Sequence, residues 1–329
     1  MGISAGMLAG MLARVGAVAV VLFAAIDAKA QNYPGKPVKI IIPFSAGGVT
    51  DIAGRLIAQR LSERLGQQFY IENIGGAGGN LGMAQVARAP ADGYTILLSS
   101  SSVTVNPSLY ANMPFDPEKD LAPVTKAGGS PNSWLVHPSF PAKNMKELVE
   151  VIRKDPGKYS VGSPGAGTTP SLAIEQIKHD LKLNFVTVPF VGGGPMTQSL
   201  LGGHVPIVCG AIGNSVALVK DGKIRALGIT DKKRLETLPD IPTLDEVGIK
   251  DQEGETMVGV FVPAGTPKEI IVQLQREIAT VVKSPDIKAR LLEVGVVPEG
   301  NTPEEFAAYL KADIAKWKRV IADANIPKI

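Results

Sequence analysis

Val38-Lys39-Ile40-Ile41-Ile42 runs straight into Pro43-Phe44-Ser45-Ala46-Gly47-Gly48. The first five residues read as a buried strand. The proline and paired glycines after them read as a sharp turn into a helix. The pattern returns far along the chain: Phe185-Val186-Thr187-Val188 runs into Pro189-Phe190-Val191-Gly192-Gly193-Gly194. A glycine loop between a strand and a helix leaves backbone N–H groups free at the helix N-terminus, where the helix dipole also favours negative charge. Two such loops, distant in sequence, imply two lobes gripping one acidic ligand between them.

Working outward, strands and helices alternate from Val38 onward, which predicts an α/β fold with mainly parallel sheets. Thr50 or Asp51 is placed to cap a helix carrying Ile52, Leu56, Ile57, Leu61 and Leu65, with Gly66 as its stop. Asp51 is read as a cap because a carboxylate facing an acidic ligand would repel it. Gln68–Glu72 and Tyr94–Leu98 read as strands, with a helix through Met83 and Val86 between them. A new block starts near Trp134, with strands at Tyr159–Gly162 and Ile224–Ile229. Asn144 with Glu147, Thr266-Pro267-Lys268-Glu269 and Thr302-Pro303-Glu304-Glu305 are predicted capping boxes. The chain is expected to cross between lobes near Thr125–Ser133 and again near Glu253–Val262.

The chain has 329 residues, enough for two domains with full cores, and a net charge of +3, too small and dispersed for nucleic-acid binding. Val15–Ile26 is an apolar run behind Arg14, and Ala28-Lys29-Ala30 fits a small-x-small cleavage site. The run is shorter than the roughly 20 residues of a membrane span. A leader over residues 1–30, cut after Ala30, is therefore expected, with Met1, Met7 or Met11 as the start. Export to a bacterial periplasm follows. Cys209 is the only cysteine, so no internal disulfide can form.

Enzyme motifs fail in turn. Gly76-Ala77-Gly78-Gly79-Asn80-Leu81 lacks the last glycine of a dinucleotide fingerprint, and in Gly165-Ala166-Gly167-Thr168-Thr169-Pro170 a proline stands there. Gly213-Asn214-Ser215-Val216-Ala217 falls one glycine short of a nucleophile elbow. His137, His179 and His204 are scattered, with no metal-ligand spacing. What remains are glycine loops bordered by hydroxyls, each following a strand at the sheet edge where α/β folds bind ligands.

Several segments, in order and spacing, carry a family resemblance. They include Tyr33-Pro34-Gly35-Lys36-Pro37, the first glycine loop with Asp51, Glu72-Asn73 before Gly75-Gly76-Ala77-Gly78-Gly79-Asn80, and Ala91-Asp92-Gly93-Tyr94. Asn106-Pro107-Ser108-Leu109-Tyr110 and Pro263-Ala264-Gly265-Thr266-Pro267 complete the set. From Tyr33 to the C-terminus the chain resembles the substrate-binding proteins of tripartite tricarboxylate transporters, the Bug receptors. The resemblance implies a type II-like, two-lobed periplasmic binding protein with a hinged cleft. Lobe 1 would comprise residues 31–130 and 256–329, and lobe 2 residues 131–255. It implies a monomeric receptor that needs no cofactor, takes a small organic acid and hands it to membrane permease subunits. An exported ligand sensor and an enzyme on the same scaffold are the alternatives. The ligand-binding residues it implies are Ser45, Ala46, Gly47, Gly48, Thr50 and Asp51 on one side of the cleft, with Ser101 and Thr104 at its border. Opposite them stand Ser163, Ala166, Gly167, Thr168 and Thr169, with Phe190, Gly192 and Gly193. Departures from the family pattern at Ser171, Pro206 and Glu255–Val260 bear on which acid fits.

Overall fold

The computed structural model describes residues 33–252 and 254–329; the expected leader, its cleavage after Ala30 and the alternative starts lie outside them. β1 (Val38–Ile42) sits at the centre of a parallel trio with β2 (Phe69–Asn73) and β3 (Thr95–Ser99), with Ile40 opposite both Ile71 and Ile96. The connecting helices are α1 (Val49–Leu65) and α2 (Asn80–Ala87). α1 begins earlier than expected. Gly48 is its N-cap in extended conformation, with no side-chain cap, and Asp51 lies inside the first turn. Gly66, at φ 66°, ends α1 by donating its N–H to Ser62 O.

After α3 (Ser102–Leu109) and α4 (Pro117–Asp120) comes β4 (Leu121–Val136), a strand of 16 residues. From Leu121 to Pro131 it pairs antiparallel with β9 (Glu255–Pro263); from Asn132 to Val136 it pairs with β7 (Ile207–Ala211). Pro123, Pro131 and the Gly128-Gly129 pair look like breakers, yet the strand continues. Irregular register at Pro123/Thr125 and Lys126/Gly128 absorbs the extra residues. The glycines allow close packing rather than a turn: a Cβ on Gly128 would lie 2.5 Å from Val297 O, and one on Gly129 would collide with the Glu255 carboxylate.

The second half of the sheet follows. α5 (Met145–Lys154) leads to β5 (Ser160–Ser163), α6 (Thr169–Asp180) to β6 (Val186–Pro189), and α7 (Gly193–Leu201) to β7. β5 pairs parallel with both β6 and β7. α8 (Val216–Lys220) and β8 (Arg225–Ile229) precede the return through β9, and α9 (Lys268–Lys283), α10 (Pro285–Glu293), β10 (Val297–Pro298) and α11 (Pro303–Asp323) finish the chain. The strand order β2-β1-β3-β9-β4-β7-β5-β6 thus joins two parallel trios through the antiparallel pair β4/β9. Parallelism is confined to the trios, so the expectation of mainly parallel sheets describes each lobe and misses the bridge between them.

Separate apolar cores serve the two halves. One gathers Ile40, Ile42, Ile57, Leu98 and Leu274; another gathers Trp134, Ile152, Ile174 and Ile207 around Cys209. Cys209 is fully buried, and burial pushes its thiol well above the ordinary range, so it packs as a small apolar residue. Of the expected capping boxes, Thr302 with Glu305 forms both bonds. Asn144 accepts the Glu147 N–H. Thr266 instead donates to Pro263 O at 2.7 Å, and α9 starts without a side-chain cap.

Candidate functional site

Three helices start at one cavity. α1 presents Gly48, Val49 and Thr50; α6 presents Thr168, Thr169 and Pro170; α7 presents Gly192 and Gly193. Each is eight residues or longer, and each leaves its first N–H groups without intrahelical partners. Their dipoles therefore sum to a positive potential with no cation on the cavity wall: neither Lys, Arg nor His lines it. The room open to water-sized spheres is about 50 Å3.

Each loop is held in shape by its own bonds. In the first, Gly47 (φ 82°) donates its N–H to Asp51 Oδ2 at 3.0 Å. Asp51 also takes both Arg55 donors, at 2.9 and 3.0 Å, and Asn73 Nδ2 at 3.0 Å. Burial alone would raise its pKa. The hydrogen bonds from Arg55, Gly47 and Asn73, with the Arg55 charge, outweigh that and hold the carboxyl below the usual carboxylate range. Asp51 lines the cavity with its charge already matched, and it shapes the loop rather than capping the helix end. In the second loop, Ser163 Oγ accepts the Gly165 N–H, and Thr168 Oγ1 donates to Gly165 O at 2.7 Å while accepting the Ser171 N–H. In the third, the Gly192 N–H reaches Pro164 O at 3.0 Å, tying this loop to the second.

The lobes meet across these loops. Ser45 Oγ donates to Val191 O at 2.5 Å. A Cβ on Gly194 would come within 2.9 Å of Ala46 O, and one on Gly78 within 2.8 Å of Ala166 O. Glycine is what allows so close an approach.

Asn214 and Thr256 complete the cavity wall, with Ser100 and Ala211 beside them. The floor is a hydrogen-bonded net strung over the crossing strands. Thr256 Oγ1 donates to Asn132 Oδ1, Asn132 Nδ2 donates to Thr169 Oγ1, and Thr169 Oγ1 donates to Glu255 O at 2.9 Å. Ser101 Oγ donates to the same Glu255 carbonyl at 3.0 Å. Behind the floor stands a cluster of full charges. Lys126, 5% exposed, contacts the carboxylates of Glu255 and Glu299, the latter at 2.6 Å, and lies 4.5 Å from the Tyr309 ring centroid. Burial works against the Lys126 ammonium, but the two carboxylates outweigh it and raise its pKa. Burial raises Glu299, and the Lys126 charge offsets only part of that.

Of the residues expected from sequence, Ser45, Gly48, Thr50, Asp51, Thr168, Thr169, Gly192 and Gly193 come together on the cavity wall. Ala166 and Phe190 border an adjoining chamber. The structure places Ala46 and Gly47 in the seam against Gly194, and Gly167 against the Asn106 side chain. Ser163, Ser101 and Thr104 point elsewhere. Ser163 braces its own loop, Ser101 braces Glu255, and Thr104 donates to Ser101 O and contacts Asp313 at 2.6 Å. Asn214 and Thr256 were missed as lining residues. Asn214 does follow an apolar run, Val205–Ile212, at the same sheet edge, and that was the available signal.

Two parallel trios joined by crossing strands, closing over one cavity, are the architecture of periplasmic binding proteins. The chain belongs to the tripartite tricarboxylate transporter receptor family: the family model described as "Tripartite tricarboxylate transporter family receptor" matches residues 53–326. It is similar to the protein BugT of Bordetella pertussis, 31% identical over 322 residues, covering 96% of this chain and 97% of that one. Among solved structures it resembles an R. palustris protein with adipate (TM-score 0.87, 34% identity, 90% of this chain and 100% of the other). It also resembles MatC from Rhodopseudomonas palustris with bound malate (TM-score 0.83, 30% identity, 88% and 100%). Among the described residues no helix is long and apolar enough to cross a membrane, and no group of His, Cys, Asp and Glu is arranged to hold a metal.

Proposed function

We propose that this chain is a periplasmic receptor that closes its lobes on a small carboxylate and delivers it to the membrane subunits of a tripartite transporter. The observation that carries the reading is the convergence of three helix N-termini on a cavity with no cationic side chain. A carboxylate there meets backbone donors from both halves. Each charged hydrogen bond contributes roughly 1.5–3 kcal/mol. Four to six of them, less desolvation and ordering, bring affinity to about the micromolar range. Adipate and malate in two related structures support the same ligand class.

Lobe 1 is residues 31–130 with 256–329, lobe 2 is residues 131–255, and the mature chain begins after Ala30. Ser45 and Thr50 on one side, with Thr168, Thr169, Gly192 and Gly193 on the other, form the grip. The chain acts as a monomer, without cofactor or catalysis. Ligand favours the closed form only by binding it more tightly than the open one, which is why both lobes must touch it.

Calorimetry on residues 31–329 with a panel of mono- and dicarboxylates tests this. Gly193→Asp places a fixed carboxylate beside Asn214, where a Cβ already crowds the amide. The expected result is at least a hundredfold loss of affinity in a variant that still folds, as read by circular dichroism. Unaltered affinity in that variant counts against the site. Normal uptake with lost induction in a deletion strain would replace transport with sensing.

A further inference from the structure

The cavity at the three helix ends is small for a whole organic acid. Room for one water needs about 10–15 Å3 measured as space for its centre, so about 50 Å3 takes a carboxylate group and little more. A second chamber adjoins it, offering about 300 Å3 by the same measure. The two share Phe44, Pro164 and Gly192, which stand between them.

The chamber differs in kind from the cavity. Its floor is the Gly75–Gly79 loop, a motif that the anion grip does not use. Its walls are Phe44, Phe190, Val191 and three prolines. No charged or hydroxyl-bearing side chain lines it. It is also built from both lobes: the Ser45–Val191 bond bounds one side, and the approach of Gly78 to Ala166 bounds the other. The chamber is therefore formed where the two halves touch. Val191, 70% exposed, stands at its outer edge.

We propose that this chamber is the tail subsite of the receptor: the ligand is an acid whose carboxylate lies in the inner cavity and whose apolar body, a hydrocarbon chain or an aromatic ring, passes Phe44, Pro164 and Gly192 into the chamber. The proposal rests on the carboxylate reading above. What it adds is the class of acid. A compact polar diacid such as malate would leave its hydroxyl and second carboxylate facing apolar walls. An apolar tail gains about fourfold in affinity per buried methylene. It also bridges the lobes outside the anion grip, so tail binding adds to closure.

Isothermal titration of the mature chain with butyrate, hexanoate, 3-phenylpropionate, malate and the uncharged 3-phenylpropanol decides the matter. The expected order is 3-phenylpropionate and hexanoate at least tenfold tighter than butyrate, malate weaker than either, and the alcohol not bound. Val191→Asp, on an exposed side chain, and Phe190→Ser each bring the ratio of 3-phenylpropionate to butyrate affinity towards one. Acids that bind with no gain from the tail, or with malate tightest, overturn the subsite and leave the carboxylate reading standing. An alcohol that binds as well as its acid, or no binding by any acid at millimolar concentration, overturns the carboxylate reading and the subsite together. An unchanged ratio in both variants overturns the subsite alone.

Discussion

The inner cavity and the cluster behind its floor are separated by little more than the β4/β9 crossing, and both are built to meet carboxylates. The cavity does so with partial charges from backbone amides at three helix ends. The cluster does so with the full charge of Lys126, buried against Glu255 and Glu299. A fully charged, desolvated partner suits an anion that never leaves. Preorganised amides neutralise an anion without a mobile cation that must be desolvated each time the ligand goes. The difference separates permanent from exchangeable negative charge within one fold.

Breaking the permanent side should have the largest effect. Lys126→Met leaves two carboxylates facing each other without their cation. The expected loss of stability at pH 7 is about 3 kcal/mol, the low end for a broken buried pair because both glutamates keep some contact with water. Without the ammonium the Glu299 carboxyl, already raised by burial, rises further above its unfolded value. Its ionised form then opposes folding, and the deficit shrinks as pH falls through that raised value. Urea unfolding at pH 7 and pH 5 measures it; a deficit that does not shrink would remove the charge explanation.

On the exchangeable side, Gly192→Ala is next. Gly192 sits at φ 109°, and a Cβ there collides with Ser45 Oγ in the closed form. Strain of about 1–3 kcal/mol should weaken carboxylate binding by roughly ten- to a hundredfold. Calorimetry reads it directly, and wild-type affinity would show that closure does not bring these loops together. Asp51→Asn is smaller, about 1–2 kcal/mol at neutral pH. Because the Asp51 pKa is lowered on folding, its contribution is present above the ordinary carboxylate range and disappears as pH falls through the folded value. Wild type and variant should thus converge in acid, and a constant gap across an acid titration would refute the assignment. Ser45→Ala, which removes the strap to Val191 O and leaves the loop's backbone donors in the grip, should raise the dissociation constant a few fold, about 1 kcal/mol; a loss beyond tenfold would mean that the Ser45 hydroxyl as well as its backbone holds the ligand.

The parts legible in the sequence were those governed by short-range rules. Gly47 and Gly192 mark strand-to-helix turns because their φ values of 82° and 109° suit few other residues, and the turns carried the amides to the site. The long β4 strand was hidden for the complementary reason. Pro123, Gly128-Gly129 and Pro131 have a local meaning, interruption, that long-range pairing with β9 overrides. Hydroxyl-rich segments misled in another way. Ser101 and Thr104 have the right chemistry for a ligand, but Glu255 O, Ser101 O and Asp313 occupy them, and only the tertiary fold says which way a short side chain points. From sequence Asp51 reads as a cap because a carboxylate beside an anion site is repulsive; Arg55 and Asn73, four and twenty-two residues away, remove that objection.

One carbonyl in the floor has a mechanical consequence. Glu255 O is shared by Ser101, just before α3, and Thr169, the first residue of α6. A joint pinned at that atom gives Thr169 a short lever arm and Val191 a long one. Motion is then smallest at the innermost amides and greatest at the outer lip. An arriving acid would be anchored at depth while the entrance is still ajar, and paired spin labels should record a larger ligand-driven shift at the lip than beside the pin.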